Sequence, residues 1–129
     1  MNLLIDTNAL IWWLDDDPRM GPQARAMLAD PTNTPYVSAA TAWEIAIKQG
    51  LGKLHLPPNP SSWLPDRLGQ DGFRPLPVTV EHALWVERLP PHHRDPFDRL
   101  LIGQAQVEDL RIITSDPLFE RYEVAVIRT

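Results

Sequence analysis

Asn2-Leu3-Leu4-Ile5-Asp6-Thr7-Asn8-Ala9-Leu10-Ile11-Trp12-Trp13-Leu14 decides the fold. Asn2–Asp6 reads as an apolar strand ending in an acid. Thr7–Leu14 follows at once as a helix too apolar on every side to be solvent-exposed, so it is expected to be buried by core on one side and by further protein on another. A buried strand feeding directly into a buried helix is the opening unit of a sheet covered on both faces.

The same alternation recurs along the chain. Met20–Leu28 is expected to be a second helix, Pro35–Ser38 a short strand, and Ala39–Gln49 a helix closed by Gly50 and Gly52. Six of the fourteen prolines fall between Pro57 and Pro77, which leaves room for one short helix near Ser62–Leu68. Phe73–Val78 reads as a proline-broken edge strand, Val80–Arg88 and Pro96–Glu108 as helices, and Arg111–Ser115 and Val124–Ile127 as strands. Strands alternating with helices predict a small doubly wound α/β domain, with a mostly parallel central sheet flanked by helices. In such sheets the working site lies beyond the C-terminal ends of the strands.

Composition narrows the classes. With 129 residues, 43% hydrophobic and 22% charged, the chain suits one domain over residues 1–129 rather than a disordered tail or a rod. The longest apolar run, Ala9–Leu14, falls far short of the ~20 residues needed to cross a bilayer. The chain has no cysteine, which removes disulfides, thiolate metal sites and thiol nucleophiles. No signal-peptide pattern stands at the N-terminus, so cytoplasm is the expected compartment. A net charge of −5 argues against a general nucleic-acid binder, unless gathered carboxylates hold divalent metal and invert the local field.

Four acids stand near strand-to-helix junctions, and each has a plain structural reading. Asp6 can cap the first helix. Glu44 is three residues after Thr41 and four before Lys48, suiting a capping contact or a helix-surface ion pair. In Asp95-Pro96-Phe97-Asp98, Asp95 reads as N-cap, Pro96 as N1, and Asp98 as an acid favoured by the helix dipole. Asp116 can cap a short helix after its strand. Capping does not require the four to converge, whereas the topology brings them to one end of the sheet. A close set of carboxylates repels itself unless protons or cations fill it. Oxygen ligands point to a hard ion, Mg²⁺ or Mn²⁺, and such ions can promote in-line displacement at a phosphodiester.

Leu3-Leu4-Ile5-Asp6-Thr7-Asn8, Ser38-Ala39-Ala40-Thr41-Ala42-Trp43-Glu44-Ile45-Ala46-Ile47-Lys48, Asp95-Pro96-Phe97-Asp98-Arg99-Leu100-Leu101-Ile102 and Ile113-Thr114-Ser115-Asp116, in that order, resemble the PIN domain of VapC-type toxins essentially from end to end. The resemblance implies a Rossmann-like fold and a Mg²⁺- or Mn²⁺-dependent endoribonuclease, the toxin of a type II toxin-antitoxin pair. It also implies inhibition by a cognate VapB-like antitoxin. By the family pattern Asp6, Glu44, Asp98 and Asp116 are the acidic, metal-holding quartet. The expected substrate is single-stranded or looped RNA, and the expected assembly a homodimer or larger toxin-antitoxin complex.

Around the quartet, Thr7, Asn8 and Ser115 carry groups able to orient ligands or water, or simply to bond within turns. Arg99 is read as an RNA-phosphate contact or a partner for a neighbouring acid, and Arg94, Lys48 and Lys53 as phosphate contacts on the rim. His92 and His93 lie in a proline-flanked loop without a spaced zinc partner and are assigned no metal role. Trp12 and Trp13, adjacent on one helix, face ~100° apart, so one is expected at a dimer or antitoxin surface. A phosphorelay receiver would need paired acids after the first strand and a late lysine, yet lysine occurs only at 48 and 53. A haloacid-dehalogenase-type phosphatase would need a general acid where Asn8 stands. A non-catalytic PIN-like binding module is the remaining alternative.

Overall fold

The computed structural model describes residues 1–129. Five strands form one fully parallel sheet in the order β3-β2-β1-β4-β5, with β1 Asn2–Ile5, β2 Thr34–Ser38, β3 Arg74–Leu76, β4 Arg111–Thr114 and β5 Val126–Arg128. Six helices accompany them: α1 Thr7–Leu14, α2 Pro22–Ala29, α3 Ala39–Gly50, α4 Pro60–Gln70, α5 Val80–Trp85 and α6 Pro96–Glu108. This is the expected α/β architecture, and the "mostly" in mostly parallel can be dropped.

Strand periodicity divides the core into two layers. Leu3 and Ile5 of β1 and Ile113 of β4 point to the face covered by Ala9, Leu10, Met20, Leu28 and Ile45. Leu4 and Ile112 point to the opposite face, against Leu101, Ile102, Ala105 and Phe119. Successive side chains on a strand alternate sides, so a two-layer core demands this unbroken apolar run. Each fully buried Leu or Ile contributes about 1.5–3 kcal/mol relative to exposure, so the run at Leu3–Ile5 fixes the position of β1 at the centre. Gly103 lets α6 approach α5 closely, since a Cβ there would lie 3.4 Å from the His82 carbonyl oxygen.

Some boundaries move for local reasons. Pro18–Met20 is a separate 3₁₀ turn, because Gly21 adopts φ +74° and α2 restarts at Pro22 in the N1 position. The short helix expected at Ser62–Leu68 extends over Pro60–Gln70 and accommodates Pro65. The strand expected at Phe73–Val78 shrinks to Arg74–Leu76 at the sheet edge, where Pro75 and Pro77 can donate no ladder hydrogen bond. Val86–Arg88 and Pro117–Arg121 are 3₁₀ turns.

The chain leaves β1 toward β2 and β3 on one side, while β4 and β5 lie on the other. That reversal makes a crevice at the C-terminal ends of β1 and β4, where a doubly wound sheet places its ligands.

Candidate active site

Asp6 begins at the end of β1 and does two jobs at once. Its Oδ1 accepts from the Ala9 N–H at 2.8 Å, capping α1, and its Oδ2 accepts from the Thr114 hydroxyl at the end of β4. Asp116 behaves alike: Oδ1 accepts from the Leu118 N–H at 2.9 Å to cap the final 3₁₀ turn, and Oδ2 lies 2.8 Å from His93 Nε2. The capping reading of both acids is therefore correct without displacing the other, because a cap uses one carboxylate oxygen and leaves the second facing the crevice.

Glu44 reaches the same crevice from α3 and is buried. Its Oε1 accepts from Thr7 Oγ1 at 2.7 Å and its Oε2 from Lys48 Nζ at 2.5 Å. With its one proton given to Glu44, Thr7 Oγ1 accepts in turn from the Thr41 hydroxyl at 3.2 Å. The expected Thr41 contact to Glu44 thus runs through Thr7. Asp98 stands in the first turn of α6, whose N-cap is Asp95, with Asp95 Oδ1 accepting from the Phe97 N–H at 2.8 Å. Asp98 makes no cap of its own. Its Oδ2 lies 3.0 Å from His93 Nε2.

The acids feel one another. Burial pushes Asp6 up to about 6, against the pull of its bonds from Thr114 and Ala9, and the charges of Asp116 and Glu44 add to the rise. Burial likewise lifts Asp98 to about 7, helped by Asp95, Asp6 and Glu44 and opposed by His93. Lys48 is raised chiefly by its bond to Glu44, with further support from the charges of Asp95 and Asp98. Four carboxylates from β1, α3, α6 and the end of β4 therefore share one field.

Of Thr7, Asn8 and Ser115, Thr7 is the one the structure brings to an acid. Asn8 and Ser115 are exposed and hold none of the four carboxylates; the group that orients Asp6 is Thr114, one residue earlier than Ser115. Arg99 is a correction. Its guanidinium donates to the carbonyl oxygens of Pro90, Val86 and Leu89 at 3.0 to 3.3 Å, so it ties the loop before α6 instead of facing a phosphate or an acid. Lys48 is committed to Glu44, while Lys53 and Arg94 are exposed. His93, assigned no metal role from sequence, sits with Asp98 and Asp116, the three ligand atoms all lying within 4.8 Å of one another. A signal was available, since His93 stands two residues before the Asp95 cap and turns back with it.

The tryptophans also move. Both Trp12 and Trp13 are half-buried against the α1 side of the core. Arg19 lies over Trp12 at 4.8 Å, and Trp13 donates its indole N–H to Asp71 Oδ2 at 2.9 Å and meets Phe73 edge-on. The widely exposed tryptophan is Trp43, 63% accessible, in line with exposed Ile47 and Leu51 on α3 and edge-on to Phe97.

The donor set suits a hard divalent cation. The four acids offer carboxylate oxygen, with the His93 ring beside two of them, and Asp6 and Asp98 are pushed upward by burial and by neighbouring charges. An added positive charge relieves both effects.

Comparison with known proteins bears on the fold and the family. The family model of the PIN domain matches residues 3–125. Ribonuclease VapC16 of Mycobacterium tuberculosis is 48% identical over 76 residues, covering 55% of this chain and 52% of that protein, so the chain spans about half the length of this curated relative. Among solved structures, VapBC2 from Rickettsia felis bound to a DNA fragment from their promoter superposes with a TM-score of 0.75 at 17% identity, covering 100% of this chain and 99% of that one. FitAcB from Neisseria gonorrhoeae gives a TM-score of 0.62 at 25% identity, covering 97% and 96%. With the family match running from β1 through the crevice and beyond β4 almost to the last strand, the chain belongs to the PIN domain family.

Proposed function

We propose that this chain is a VapC-type endoribonuclease, one PIN unit over residues 1–129 acting in the cytoplasm as the toxin of a toxin-antitoxin pair. The reading rests on the family match over residues 3–125 and on Asp98 and Asp116 standing together beside His93, with the charges of Asp6 and Glu44 near enough to raise Asp98. The relative named as a ribonuclease supports the activity. The structural neighbours solved as VapBC and FitAB assemblies support a VapB-like antitoxin as partner.

In this reading the four carboxylates hold Mg²⁺ or Mn²⁺. The bound ion supplies an activated water and a counter-charge for phosphodiester hydrolysis. Thr7 and Thr114 hold Glu44 and Asp6 in place through one hydroxyl bond each. Lys48, half out of the crevice beside Glu44, offers a positive charge to an incoming phosphate oxygen. Unpaired RNA is the fitting substrate, because a splayed single strand can enter a narrow cleft that a stiff duplex cannot.

The test is cleavage of single-stranded or looped RNA by the purified chain with Mg²⁺ or Mn²⁺. We expect 5′-phosphate and 3′-hydroxyl ends, as water rather than the ribose 2′-hydroxyl attacks. Cleavage undiminished by excess EDTA, or cyclic-phosphate ends, would reject the mechanism. The alternative of a binding module without activity predicts RNA or antitoxin binding with no cleavage under any metal.

A further inference from the structure

His93 appears at first to complete a three-residue metal site with Asp98 and Asp116. Its other bonds speak against that role. Nδ1 lies 3.1 Å from the backbone N–H of Asp95 and accepts from it. A ring nitrogen that accepts a hydrogen bond carries no proton, so the ring proton is on Nε2. Nε2–H is the group hydrogen-bonded to Asp116 Oδ2 at 2.8 Å, with Asp98 Oδ2 at 3.0 Å beside it. A protonated nitrogen has no lone pair for a metal. Moving the proton to Nδ1 would set two N–H donors against each other at the N-cap of the helix that carries Asp98.

The ring is also held from behind. The His93 backbone N–H donates to Tyr122 Oη at 2.7 Å, and the ring meets fully buried Phe119 edge-on with centroids 5.8 Å apart.

We propose that His93 is a positioning residue and not a metal ligand: its fixed Nε2–H donates to Asp116 beside Asp98 and holds both carboxylates aimed at the cation. Hydrogen-bonded partners of ligating groups orient them, and losing one weakens metal binding by about 10- to 100-fold. The proposal rests on the metal-dependent reading above.

Two measurements on the full wild-type chain test it directly. Imidazole ¹⁵N spectra of the metal-free and Mg²⁺-loaded protein are expected to place the His93 proton on Nε2 in both. Pulsed electron paramagnetic resonance of the Mn²⁺ complex is expected to lack the coupling of a directly bonded imidazole nitrogen. In Mn²⁺ titrations followed by the free-ion signal, His93→Ala should bind about tenfold more weakly or worse. His93→Gln, which keeps a donating N–H at similar reach, should recover most of that loss. A bonded-nitrogen coupling, a shift of the proton to Nδ1 on Mg²⁺ addition, or a glutamine variant as weak as alanine would overturn the positioning role while leaving the hydrolytic reading intact. A wild-type chain that binds no Mn²⁺ would overturn both.

Discussion

Thr114 donates its hydroxyl proton to Asp6, joining the ends of two neighbouring strands across 108 residues of chain. The bond is buried and favours the ionised carboxylate, so it works against the burial that pushes Asp6 up to about 6. Thr114→Val keeps the shape and removes the donor. A hydrogen bond to a charged group contributes about 1.5–3 kcal/mol, so the Asp6 midpoint should climb by about one unit or more. Carboxyl ¹³C titration of the variant measures this, and an unmoved Asp6 would show the bond to be idle.

The metal-free fold should lose stability as the solution becomes alkaline. Asp6 and Asp98 titrate in the folded chain at about 6 and about 7, above their ordinary value of 3.8. The native state therefore holds more protons than the unfolded one between those values, and unfolding free energy falls as pH rises through them. Thermal melts in EDTA should drop between about pH 4 and about pH 7, by roughly 3–5 °C for each kcal/mol lost at this size. Adding Mg²⁺ at the alkaline end should restore the melting temperature. A flat metal-free profile would mean that neither burial nor the neighbouring charges raise the two acids in the folded chain.

Asp95 and Asp98 share one motif and should respond oppositely. Asp95→Ala removes the cap bond to Phe97 and should lower stability by about 0.5–2 kcal/mol, with metal-dependent cleavage largely kept. Asp98→Asn relieves repulsion, so it should hold or raise the metal-free melting temperature at alkaline pH while abolishing cleavage. Melting and RNA cleavage of both variants, measured side by side, decide the assignment. An Asp98→Asn protein that melts lower and still cuts RNA would remove Asp98 from the quartet.

Self-association should depend on Trp43 more than on Trp12 or Trp13. The exposed stripe Trp43, Ile47 and Leu51 is the broadest apolar surface on α3, whereas Trp12 and Trp13 are engaged within the chain. Interface energy concentrates in a few buried aromatics, so Trp43→Ala should weaken a dimer by on the order of 2 kcal/mol with little change in monomer stability. Sedimentation equilibrium of the variants reads this out, and a dimer that survives Trp43→Ala but not Trp12→Ala would return the interface to α1.

Much of this was legible because the determinants are local. Leu3–Ile5 announces a doubly buried strand by composition alone, and the four acids fall at junctions that periodicity locates. Thr114 and His93 escaped because their roles depend on which chain ends meet. Ser115 and Thr114 look equally suitable in sequence, and the register Ile5 opposite Ile113 is what turns the earlier hydroxyl toward Asp6. Arg99 misled for the reverse reason: an arginine beside a catalytic-looking acid suggests phosphate, but its guanidinium is spent on loop carbonyls. For Trp12 and Trp13, an all-round apolar helix suggested one inward and one outward ring, whereas both are half-buried against the same side of the core.

The central position of β1 has a consequence for the order of events during synthesis. β1 precedes its partner β4, which begins at Arg111, so the ladder that draws Asp6 and Asp116 together cannot close until β4 has been made. At about 5–20 residues per second, the ribosome separates the two acids in time by roughly 5–20 s. A nascent chain that has reached Asp109 carries Asp6, Glu44 and Asp98 but neither β4 nor Asp116, and so cannot assemble the crevice. Competence arrives abruptly with the synthesis of β4 rather than accumulating along the chain.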